Sequence, residues 1–127
     1  MTESFETARI SFEKSEAAPD GSEVRKLLSL PRGSMARFDL PAGRASRAVV
    51  HRTVEEIWLF VSGRGEMWRK QGQHEEVVEV EQGVCVTIPC GTHFQFRSTG
   101  GDALVAIGVT MPPWPGDDEA LPVPGKW

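Results

Sequence analysis

Residues 83–97 read GVCVTIPCGTHFQFR. Val84, Val86, Thr87 and Ile88 are β-branched, stiff at χ1 and suited to a pleated surface. Pro89-Cys90-Gly91 is a turn signal. Beyond it, Phe94 and Phe96 alternate with His93, Gln95 and Arg97, which puts the two sets on opposite faces of a strand. The stretch reads as two short strands joined by a tight turn, with a lone histidine at the start of the second.

The same grammar extends outward over most of the 127 residues. LPRGS at 30–34, LPAGR at 40–44, SGRG at 62–65, KQGQ at 70–73, EQG at 81–83, PCGT at 89–92 and TGGD at 99–102 recur at intervals of about ten residues, the mark of an all-β sandwich or barrel. The runs 24–30, 34–40, 47–51, 56–61, 65–69, 75–80, 84–89, 94–97 and 103–110 each read as strand. No window carries a 3.6-residue apolar period. Three parts follow. Residues 1–22 form a polar N-terminal arm, with a short strand expected at 8–12. Residues 23–111 form the barrel. Residues 112–127 hold five prolines and form an extended segment packed on the barrel, anchored by Trp114 and Trp127.

Composition excludes several classes. The net charge is −4 and the basic residues are scattered singly, so no nucleic-acid face is expected. No apolar stretch reaches the roughly 20 residues of a membrane span, and MTESFETARI lacks the pattern of a secretory signal. A cytoplasmic protein is expected. Cys85 and Cys90 flank Pro89 too closely for an unstrained bridge, so both read as free thiols.

Alternation also sorts the residues that can do chemistry. Val49 and His51 share a strand face, as do Glu56, Trp58 and Phe60. If His51, Glu56 and His93 point into one barrel, they form a two-histidine, one-carboxylate set, which suits Fe, Mn, Ni or Zn as a divalent cation. Glu55 faces away from Glu56 and is expected in solvent, as is His74 in its hairpin. The plainer reading of a lone strand histidine is a hydrogen-bonded structural residue.

Gly43 through Gly63 resembles the first cupin motif: five residues separate Gly43 from Val49, four separate His51 from Glu56, and six separate Glu56 from Gly63. Gly83 through Arg97 resembles the second, with Pro89, Cys90, Gly91 and His93 in place. The spacer between the motifs is 19 residues, enough for a hairpin. Three positions depart from the pattern. Val49 stands where the motif has its first histidine, one residue instead of two separates Gly91 from His93, and Arg97 stands where the motif has asparagine.

The resemblance implies an all-β cupin jelly roll whose mouth takes a small molecule. It implies a divalent transition metal held by His51, Glu56 and His93, with water or Gln95 as the fourth ligand, and a pocket walled by Val49, Trp58, Phe60 and Arg97. Two readings without metal stand beside it: a small-molecule-binding barrel, and an isomerase or cyclase using a histidine as general base. The chain has no tyrosine, which removes the acid used by cupin-like deoxysugar epimerases. A homodimer joined through N-terminal strands is the expected assembly.

Overall fold

The structure, a computed structural model, describes residues 4–10 and 16–127. Eleven strands make up nearly all the regular structure there: β1 (Glu16–Ala17), β2 (Glu23–Leu30), β3 (Gly33–Leu40), β4 (Val49–His51), β5 (Glu55–Ser62), β6 (Arg64–Gln71), β7 (His74–Glu81), β8 (Cys85–Ile88), β9 (His93–Ser98), β10 (Leu104–Met111) and β11 (Ala120–Pro122). A single 3₁₀ turn, Asp117–Glu119, precedes β11. No helix among the described residues is long and apolar enough to cross a membrane.

The strands form two antiparallel sheets, ordered β1-β2-β3-β10-β5-β8 and β11-β4-β9-β6-β7. This is the jelly roll that the sequence leads one to expect. Two-residue alternation sets which side chains face inward. Along β5, Glu56, Trp58 and Phe60 are buried while Glu55, Ile57 and Leu59 are exposed. Along β9, Phe94 and Phe96 enter the core between the sheets and join Trp58, Met67 and Leu104. The same two-residue period therefore commits His93, Gln95 and Arg97 to the outer face of their sheet.

Two glycines permit close approaches that shape the interior. Gly63 closes β5 at φ +82°, and a Cβ there would lie 2.8 Å from the Leu104 Cα. Gly108 lies on β10 where a Cβ would meet the Trp58 and Phe38 rings at 2.8 and 2.9 Å. Its bare backbone lets those two rings stack, with centroids 4.8 Å apart.

The ends of the chain depart from expectation in detail. The strand expected at 8–12 falls partly outside the described residues, and 8–10 carry no regular structure. The C-terminal segment contributes a strand of its own. In β11, Ala120 pairs with His51 and Pro122 with Val49, at the edge of the sheet where proline's missing N–H is tolerated.

Candidate functional site

A cavity of about 290 Å³ opens between the sheets. His51 reaches it as the last residue of β4, and Glu56 as the second residue of β5, across the loop 52–54. The His51 Nδ1 lies 3.5 Å from the Glu56 Oε1. Both side chains are almost wholly buried, at 6 % and 2 % exposure.

The surroundings of the two groups are unequal. Glu56 accepts hydrogen bonds from the Trp58 indole, at 3.3 Å, and from the Thr110 hydroxyl. Burial pushes its carboxyl up to about 7, against the opposing pull of those two donors. His51 stands edge-on to the rings of Phe94 and Trp114, each centroid 5.1 Å away. Burial lowers its imidazole to about 4, although the Glu119 charge works the other way. At neutral pH the imidazole is uncharged, and its Nδ1 has no hydrogen-bond partner.

Two further carboxyls frame this pair. Asp20 is buried and accepts from the Ser22 backbone N–H at 2.9 Å and hydroxyl at 2.7 Å. Desolvation outweighs those bonds and raises its pKa. Glu119 fastens the loop that joins β4 to β5. Its carboxylate accepts from the Thr53 N–H and hydroxyl, both at 2.6 Å, and from the Val54 N–H at 2.9 Å. Burial opposes its charge, but these donors prevail and hold it below the usual carboxylate range.

Of the expected metal set, His51 and Glu56 meet and His93 does not. His93 opens β9 beside Val50 and Lys70, on the face opposite Phe94, whose ring packs inside against Trp58 and His51. The shortened gap after Gly91 is the physical reason: losing one residue before a strand turns the next side chain to the other face. Gln95 and Arg97 lie on the same outer face, so neither is a fourth ligand nor a pocket wall. The Gln95 amide donates to the Ser46 carbonyl at 2.7 Å and to the Trp127 carbonyl at 3.0 Å. Arg97 pairs with Glu66 at 2.6 Å and lies 4.3 Å from the Trp127 ring centroid. Phe60 is fully buried core and does not line the cavity, whereas Val49 and Trp58 do.

Among the described residues no three His, Cys, Asp or Glu side chains gather as a cation site. Two interior donors, one of them a carboxyl already engaged by Thr110 and Trp58, do not fit a metal held by the protein. His74 is exposed, and Cys85 and Cys90 are free and exposed.

Sequence reasoning passed over Thr110, Asp20, Phe38 and Glu119. Thr110 was legible, since alternation along 104–110 places it with Ala106 and Gly108 on the inward face. Glu119 carries no local signal, because its partners are 65 and 66 residues away.

The profile of the cupin domain family matches residues 36–110. An uncharacterized protein of Methanocaldococcus jannaschii is 31% identical over 107 residues, covering 80% of this chain and 82% of its own. Among solved structures, a predicted oxalate decarboxylase from Thermotoga maritima superposes with a TM-score of 0.62 at 22% identity, covering 72% of this chain and 80% of that one. Bacillus subtilis oxalate decarboxylase, described with Mn(II) centers, superposes with a TM-score of 0.74 at 14% identity, covering 87% of this chain and 30% of that one.

Proposed function

We propose, from the premise that this chain belongs to the cupin domain family, that it binds a small organic molecule in the cavity between its sheets, without a metal held by protein side chains. One observation carries the reading. The His51 side chain lines the cavity, and its buried Nδ1, 3.5 Å from the Glu56 Oε1, has no hydrogen-bond partner. Buried polar atoms are nearly always satisfied, and an unpartnered imidazole beside a cavity marks a place where a polar partner is wanting. The apolar wall formed by Val49, Trp58, Phe38 and Phe94 supplies the remaining contact area.

Fluorescence tests the reading directly, because Trp58 and Trp114 both line the cavity. A panel of compact ring compounds with one polar group should include members that quench the emission saturably and raise the melting temperature. His51→Ala should weaken those members. A panel that neither quenches nor stabilises at millimolar concentration removes the proposal.

A second reading is proton transfer, with His51 as general base and Glu56 steering it. What favours it is the 3.5 Å separation of two groups whose protonation burial shifts in opposite directions. A metal-bound form has support from the Mn(II) centers of the Bacillus subtilis protein, but the interior donors here are too few, and no step is routed through a metal. We carry the homodimer forward as a proposal as well. Its support is the apolar surface at Leu30, Ile57 and Leu59, and its test is sedimentation equilibrium.

A further inference from the structure

The charges around the cavity are one-sided. Glu56 and Asp20 are buried in its wall, and the exposed Glu16 and Asp117 stand at its rim. The single basic side chain that lines it, Lys26, is exposed and lies 3.4 Å from Glu16, so its charge is met outside. Four rings, Phe38, Trp58, Phe94 and Trp114, form much of the rest. His51 lines the same space and adds an uncharged imidazole whose buried Nδ1 is unpartnered.

A ligand must match this inventory. An anion would face the buried Glu56 and Asp20 carboxyls, and the Arg47 charge offsets Asp20 only in part. A ligand offering only acceptors would leave the remaining lone pairs of the Glu56 carboxylate, which takes one donor at each oxygen, without a further partner. A protonated amine answers all three features. Its N–H groups can donate to a Glu56 oxygen beside His51, its charge is complementary to that carboxylate, and aromatic faces attract cations, more strongly when desolvated.

We infer that the cavity takes a small organic cation, a protonated amine on a compact apolar body, held between the His51–Glu56 pair and the surrounding aromatic rings. The inference rests on the reading of this cavity as a binding site and adds the chemical class of its ligand.

Three probes of one shape test it at neutral pH: benzylamine, which is then protonated, benzyl alcohol and benzoate. Each is titrated into the full-length protein while quenching of Trp58 and Trp114 is followed, with calorimetry for the affinity. The expected order is benzylamine first, benzyl alcohol weaker by about tenfold or more, and benzoate weakest. Glu56→Gln should abolish the preference for the amine while binding of the alcohol persists. Equal or tighter binding of the alcohol or of benzoate overturns the inference and leaves the binding cavity standing. Silence from all three probes, at concentrations where other ring compounds quench, overturns the inference alone. Silence from every compound removes both.

Discussion

One amide joins Gln95 to both backbone groups of Trp127: its Oε1 accepts the Trp127 N–H at 3.0 Å and its Nε2 donates to the Trp127 carbonyl at 3.0 Å. The same Oε1 accepts the Lys126 N–H at 2.9 Å. A side chain on the outer face of β9 thus fastens the proline-rich extension, which is why Gln95 is buried without entering the barrel. Gln95→Ala leaves the Ser46 carbonyl and the tail's backbone groups without their partner, and should cost about 1–3 kcal/mol. Urea unfolding checks this, and limited proteolysis near residue 123 should speed up in the variant. An unchanged midpoint together with an unchanged cleavage rate would show that the tail docks by other means.

The buried pair predicts an unusual stability profile against pH. The Glu56 carboxyl is raised in the folded state, so its contribution is fully present below the unfolded value of 4.5 and is lost as pH rises through about 7. The His51 imidazole is lowered, so its contribution is present above 6.5 and is lost as pH falls towards about 4. The two groups together favour the interval in which both are uncharged. Melting temperature recorded against pH should therefore stay nearly level in the wild type between about pH 5.5 and 6.5, where the two contributions oppose each other, and decline above 6.5. In Glu56→Gln, with His51 alone, it should rise up to about 6.5 and then level off. Parallel profiles for the two proteins contradict the assignment.

Glu119 predicts a loss of another kind. Its carboxylate takes three donors from residues 53 and 54, and hydrogen bonds to charged groups contribute about 1.5–3 kcal/mol each in favourable cases. Glu119→Ala should destabilise by about 2–3 kcal/mol, since water can satisfy some of the freed donors. Because its folded pKa is depressed, its stabilisation is present above 4.5 and fades as pH falls below that value. A urea midpoint equal to that of the wild type would contradict this account.

The strands, their alternation and the positions of His51 and Glu56 were legible because each rests on local information: a period of two, turn residues and a glycine frame. His93 misled because its spacing to Gly91 is short by one, and in a strand one residue is the difference between core and solvent. Gln95 and Arg97 follow His93 in phase, so a single slip moved three expected site residues to the outer face together. Trp114 and Trp127 signalled that the extension docks on the barrel, but the face it covers was not legible. The docking of residues 123–127 on β9 depends on contacts about thirty positions away in sequence, and nothing in PVPGKW declares them.

Val49 offers the sharpest test of that account. It is buried, lines the cavity and lies on the inward face of β4, two residues before His51. It also stands where the first cupin motif has a histidine. Val49→His would place two imidazoles on one strand face with the Glu56 carboxyl opposite, completing inside the barrel the donor set that His93 does not join. Such a set suits Ni or Zn. The variant should gain a metal-dependent rise in melting temperature. The gain is about 2.7 kcal/mol of stability at a hundredfold excess over Kd, or about 10 °C for a chain of this size. Val49→Ala serves as the control for altered packing and should show no such rise. The wild type should show none either, and His93→Ala should change nothing in any of these backgrounds. A strong metal response of the wild type that both His51→Ala and His93→Ala remove would place His93 inside the barrel and reverse the correction made from its phase on β9.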